Sequence, residues 1–221
     1  MARRRFRRKD LKRPDEFVSR GRELLTWAAR NSRVLAWSAA AVAVVAVGIL
    51  GFTSLRTARV RQANEDLSHA LGEFRAEHYS QAATQLADVA SRWGSTDAGQ
   101  IATLYAANAN LNADNFDSAS VLLQDVLAGH HWPPYLEQQA LVDLGFALER
   151  KGDAATAAAR YTEAAALEGP YKPAALLGAA RCRESAGDKA QARELYERFT
   201  REFPEAADKD LVAAKIDQLK G

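Results

Sequence analysis

Apolar and polar positions along the chain fall into two regimes. From Val34 to Leu55, VLAWSAAAVAVVAVGILGFTSL, 22 residues run without a charge between Arg33 and Arg56. At about 1.5 Å per residue, a helix of that length covers roughly the 30 Å hydrocarbon core of a bilayer. Trp37 and Phe52 lie near its two ends, where aromatic rings settle at headgroup level. A buried helix of a water-soluble domain rarely runs so long without one polar face. A cleaved signal carries a shorter apolar region, about 7–15 residues, behind a brief basic leader. Here the leader is 33 residues long, so the stretch is read as a retained single-pass anchor.

Beyond the anchor the pattern changes to period 3.6. Ala63, Leu67, Ala70, Leu71 and Phe74 recur at helical spacing, and the anchor helix is expected to run on as the first helix of the following domain. Helix after helix follows. No period-2 run of β-branched residues and no Asn-Gly or Asp-Gly hairpin turn occurs. Turn signals stand at Trp93-Gly94-Ser95, Asp114-Asn115, Gly129 to Pro134, Gly152-Asp153, Gly169-Pro170, Gly187-Asp188 and Pro204.

These turns are periodic. Gly152-Asp153, Ala157 and Tyr161 match Gly187-Asp188, Ala192 and Tyr196 at an offset of 35. Asp114-Asn115, Ala119 and Leu123 precede the first of these by 38, and Glu77-His78, Ala82 and Leu86 precede those by 37. Four helical hairpins at this spacing predict an all-α solenoid. The unit resembles the tetratricopeptide repeat, about 34 residues long. In its clearest copy Leu141, Leu144, Gly145 and Leu148 lie on the first helix, and Ala157, Tyr161 and Ala164 on the second. Gly145 and Ala157 permit close approach of the two helices, while Leu144, Leu148 and Tyr161 fill the space around the crossing. Residues 205–220 read as a final solvating helix that caps the stack. The expected organisation is a basic leader (1–33), an anchor (34–55) and a tetratricopeptide-like domain (56–221).

Charge adds orientation. Residues 1–33 hold 12 Lys/Arg and 4 Asp/Glu, a net +8, whereas residues 34–221 hold 18 and 24, a net −6. The overall pI of about 8.7 therefore describes neither part and gives no support to nucleic-acid binding. Lys and Arg beside a span stay cytoplasmic, so the leader is placed in the cytoplasm and the repeats outside it, despite Arg56, Arg59 and Arg61 just past the span. The basic run 1–13 suits anionic lipid headgroups. Residues 14–33 read either as an interfacial helix or as an extension of the anchor.

The chemistry of catalysis is missing from the sequence. His130-His131 sits beside Trp132-Pro133-Pro134 without an HExxH or CxxC context, and no phosphate-binding glycine loop or GxSxG occurs. Cys182 is the only cysteine, which rules out an intramolecular disulfide. The expectation is no enzyme, no cofactor and no metal. What remains is surface. In tetratricopeptide arrays the first helices of successive hairpins line a peptide-holding groove. The matching positions here are Leu104, Asn108 and Asn112, then Gln139, Val142, Phe146 and Arg150, then Leu177, Arg181 and Glu184. The same positions also read as ordinary interhelix contacts.

Anchor and repeats together resemble the bacterial ancillary SecYEG translocon subunit family, over residues 34–221. That resemblance implies a single-pass inner-membrane protein with a cytoplasmic N-terminus and a periplasmic repeat domain. It also implies partners among translocon subunits and periplasmic chaperones, and hence an adaptor or chaperone-like role. The other reading is a structural scaffold subunit of an envelope division or secretion complex.

Overall fold

The computed structural model describes residues 25–129 and 132–220. The first 24 residues, with the expected lipid-binding run and most of the interfacial-helix stretch, lie outside the described residues, as does His130-His131.

Residues 25–30 are helical and end at a turn at Asn31. Among the described residues nine helices follow: α1 (Ser32–Arg75), α2 (Tyr79–Trp93), α3 (Asp97–Asn112), α4 (Phe116–Gly129), α5 (Pro134–Arg150), α6 (Ala154–Ala166), α7 (Lys172–Ser185), α8 (Lys189–Glu202) and α9 (Lys209–Gln218). No strand occurs among the described residues. The chain divides into two compact units between Ala58 and Arg59. In the first, the apolar part of α1 is long and apolar enough to cross a membrane by length and composition. None of its side chains is buried, and Trp37 is 78 % exposed.

In the second unit Ala63, Leu67 and Ala70 of α1 share a core with Ala82, Leu86 and Val89 of α2. From α2 on each helix packs on the next, and α3 also meets α5, as α5 meets α7. The second helices of successive hairpins (α2, α4, α6, α8) make no comparable contacts with one another. The first helices therefore form the inner, shorter-radius side of the stack. One set of positions builds the core of every hairpin. Ala82, Ala119, Ala157 and Ala192 are all completely buried, and Leu86, Leu123, Tyr161 and Tyr196 are buried one turn later. The repeat register read from the sequence thus holds in all four copies. Burying each such leucine contributes roughly 1.5–3 kcal/mol.

The turns inside the hairpins share one geometry. At the end of α5 the Gly152 amide donates to the Glu149 carbonyl and the Asp153 amide to Leu148, both at 3.0 Å. The same pair of bonds closes α1 at Glu77-His78, α3 at Asp114-Asn115 and α7 at Gly187-Asp188. This C-cap requires a left-handed residue. Gly152 (φ 85°) and Gly187 (φ 82°) supply it without a Cβ penalty, whereas Glu77 (φ 62°) and Asp114 (φ 58°) supply it with one. The next residue caps the following helix in the later copies: Asp153 accepts from the Thr156 amide at 3.1 Å and Asp188 from that of Gln191 at 3.2 Å.

Buried polar groups tie neighbouring elements together. The Gln138 side chain donates to the carbonyls of Ala164 and Leu167 and accepts from the Tyr171 amide, fixing α5 to the connection between α6 and α7. At the other end Trp93 Nε1 donates to Asp66 at 2.8 Å, joining α1 to α2.

Candidate protein-binding face

The inner side is built from one stripe per first helix. Along α3, Ala102, Ala106 and Ala109 face the preceding hairpin, while Leu104, Ala107 and Leu111 join the core with α4 and α5. The stripe left over is Ile101, Tyr105, Asn108 and Asn112, spaced i, i+4, i+7, i+11. Leu104, expected in the groove, is 5 % exposed and belongs to the core instead. It is rotated by one residue from the open stripe. Its neighbours Ile101 (37 % exposed) and Tyr105 (36 %) hold the apolar surface that sequence reading missed. The Tyr105 ring stands edge-on to Phe74 at 5.4 Å between centroids. Asn112 is exposed and Asn108 half-buried; the Asn112 amide bonds back to the Asn108 carbonyl.

On α5 the stripe runs through Gln139, Val142, Phe146 and Arg150. Gln139 accepts from the Tyr171 hydroxyl at 3.1 Å. Val142 is half-buried against the core. Phe146 meets Phe116 edge-on, and the Arg150 guanidinium lies over both rings, 4.6 Å from Phe116 and 5.7 Å from Phe146. A salt bridge of 3.4 Å joins Arg150 to Asp114. These contacts hold the second and third hairpins together, as well as giving Phe146 a half-open ring.

Leu177, Arg181 and Glu184 of α7 are brought together in a groove of about 1050 Å³, shared with Glu149 and with Leu211, Val212 and Lys215 of α9. Its polar groups are already engaged. Arg181 forks onto Glu149 through Nε (3.1 Å) and a terminal nitrogen (3.0 Å), and the Tyr161 hydroxyl donates to the same carboxylate at 3.0 Å. One repeat later Glu184 accepts from Tyr196 at 3.1 Å and from Lys215 at 2.8 Å. Each Glu thus joins the Tyr of its own hairpin to a cation on the next first helix. Burial and then Glu149 push the Tyr161 hydroxyl pKa up. Burial, then the bond to Glu184, takes Tyr196 to about 12. The bond from Lys215 holds Glu184 below the usual carboxylate range. Cys182 is buried beside this network, and burial raises its thiol to about 11, which leaves it an inert core group.

Sequence reading also missed Asp143, between Gln139 and Phe146 on α5. Burial pushes its carboxyl pKa up to about 6, against the lowering effect of a hydrogen bond with Gln139. Its Oδ2 is buried without a hydrogen-bond partner among the described residues. An aspartate one turn after a glutamine gives no signal of burial in the sequence. No group of three or more His, Cys, Asp or Glu among the described residues is placed to hold a metal ion.

The comparisons agree with this architecture. The tetratricopeptide repeat family model matches residues 174–206, which cover the α7–α8 hairpin. Among solved structures, the nearly identical tetratricopeptide-like repeats of a putative kinesin light chain from Podosopora anserina superpose with a TM-score of 0.58. They are 16 % identical, over 72 % of this chain and 85 % of theirs. A single-substitution variant of those repeats gives a TM-score of 0.59 at the same identity, over 72 % and 84 %. At that identity the likeness carries the fold alone. No curated protein matches the sequence. The chain thus carries a tetratricopeptide repeat within an all-helical, tetratricopeptide-like solenoid.

Proposed function

We propose that this chain is a non-catalytic protein-binding adaptor, held at a membrane by the apolar part of α1. The observation that carries the adaptor reading is the inner face of the solenoid. It offers half-open Phe146, Tyr105 and Ile101 beside amides and charged groups, a mixture suited to protein segments. Tetratricopeptide arrays are interaction scaffolds whose extended concave surfaces serve this role.

The anchoring reading is supported by an uncharged 22-residue stretch whose side chains nothing in the fold covers. With the basic leader, it favours a bacterial inner-membrane protein, N-terminus cytoplasmic and repeats periplasmic. Within that setting the partners proposed are translocon subunits and periplasmic chaperones that meet emerging chains, with anionic lipid headgroups on the leader. Tethering raises the effective concentration of whatever stands beside the anchor, so modest groove affinities suffice. Affinity purification of the full chain in a mild detergent tests the partner class. Recovery of translocon subunits and chaperones in varying, substoichiometric amounts is expected. A fixed stoichiometric set of division or secretion components would instead favour a scaffold subunit.

A further inference from the structure

Charge is distributed unevenly within the repeat domain. Residues 65–149 contain twelve Asp/Glu against two cations, Arg75 and Arg92, a net −10; residues 150–221 contain twelve against thirteen, a net +1. Part of the acidic excess is neutralised locally, since Arg92 bridges Asp66 and Asp88. Asp114, Asp117 and Glu149 pair with Arg150, Lys151 and Arg181 of the second half. Among the described residues, no ion pair forms at Glu65, Glu77, Asp97, Asp125, Glu137 or Asp143. This half of the solenoid also carries the exposed apolar stripe of α3. Asp97 heads that stripe four residues before Ile101, and Tyr105 follows four residues after it.

We propose that the inner face of α3 and α5 takes a cationic, amphipathic protein segment. Its apolar side chains lie on Ile101 and Tyr105, and a lysine or arginine of the segment reaches Asp143. The inference rests on the adaptor reading and names the class of partner. Apolar side chains have a counterpart in the open parts of Ile101 and Tyr105, each of which leaves about a third of its surface exposed. Cations have one in the negative field of this half, which steers them to the surface and repels anionic membranes and nucleic acid. Asp143 offers the specific contact. Gln139 holds part of its carboxylate, Tyr171 holds Gln139 in place, and Oδ2 is left as an unused acceptor. Because Oδ2 is itself buried, a charged donor from the partner reaches it only as the side chains around it part, and then supplies the bond that the fold does not.

The test uses the full chain in uncharged maltoside micelles, with empty micelles as the blank. Its probes are three fluorescent peptides: Lys alternating with Leu, Glu alternating with Leu, and Lys alternating with Ser. The Lys/Leu peptide is expected to bind most tightly, with an affinity that falls steeply as salt is raised. Asp143→Asn, which keeps the side-chain shape, is expected to weaken it by about tenfold, the size of a lost charged hydrogen bond. Tyr105→Gln is expected to weaken Lys/Leu more than Lys/Ser, and Asp210→Asn on α9 to change neither. Thermal melts of each variant establish that it is folded. Equal binding of the Lys/Leu and Glu/Leu peptides, or undiminished binding by folded Asp143→Asn and Tyr105→Gln, overturns the inference. The adaptor reading stands or falls separately, on whether the inner face captures proteins in cells.

Discussion

A Cβ on Gly178 would lie 2.6 Å from the ring of Tyr161, closer than any carbon contact tolerates. Gly145 meets the same ring, where a Cβ would come within 2.9 Å. Tyr161 therefore packs tightly against both the first helix of its own hairpin and that of the next. Gly178→Ala forces the ring or α7 to move and is expected to destabilise by about 1–3 kcal/mol. Tyr161→Ala empties the space and is expected to cost about 3–5 kcal/mol, by analogy with Phe→Ala truncations. Urea melts of the chain in maltoside micelles measure both. A loss below about 1 kcal/mol for Tyr161→Ala would contradict the packing described.

Asp143 sets a pH dependence. Its folded pKa, about 6, lies above the ordinary 3.8, so the fold prefers the neutral carboxyl. The stability this contributes is present below the ordinary value and is lost as pH rises through 6. Asp143→Asn removes the cost of the buried charge and is expected to stabilise by on the order of 2 kcal/mol at pH 7. The gap between variant and wild type should close as pH falls toward 4. A gap that is constant with pH, or a destabilised variant, would contradict the burial of an ionised carboxylate at neutral pH.

Glu77 occupies the left-handed position that Gly152 and Gly187 hold in later repeats. Its side chain is exposed, so the substitution Glu77→Gly sacrifices no packing. It relieves a left-handed penalty of about 1–2 kcal/mol at the expense of extra unfolded-state entropy, for a net gain of about 0.5–1 kcal/mol. Thermal melts showing a loss of stability would mean that the turn after α1 is not equivalent to the later three.

The anchor reading makes a separate prediction. Alkaline phosphatase fused after Gly221 is expected to be active, and the mature protein to keep its residues before Ala58. A fusion active only as a cytoplasmic reporter, or a mature N-terminus beyond Ala58, would remove the membrane from the account.

What the sequence made legible follows from where its signals are local. Gly-Asp pairs announce both a C-cap and the next N-cap, so the turns at Gly152 and Gly187 could be read directly and the others aligned to them. The small Ala and large Leu or Tyr of each second helix share one spacing, which sets the core register. The inner face was less legible because its neighbours are supplied by other helices. Nothing local distinguishes Leu104, buried by α4 and α5, from Ile101 and Tyr105, which stay open. Arg181 reads from the sequence as a groove position, yet Glu149, 32 residues away, occupies its guanidinium bidentately. Gly178 carried no signal at all, since its role depends on a ring in the preceding hairpin.

Photo-crosslinking in intact cells tests most directly whether the inner face of the solenoid binds protein. Probes replace Phe146 and Arg181, with exposed Lys151 and Lys189 as control positions. Protein adducts are expected from 146 and 181 that neither control gives. If all four positions yield the same adducts, or only the controls yield any, the inner face is not a binding surface.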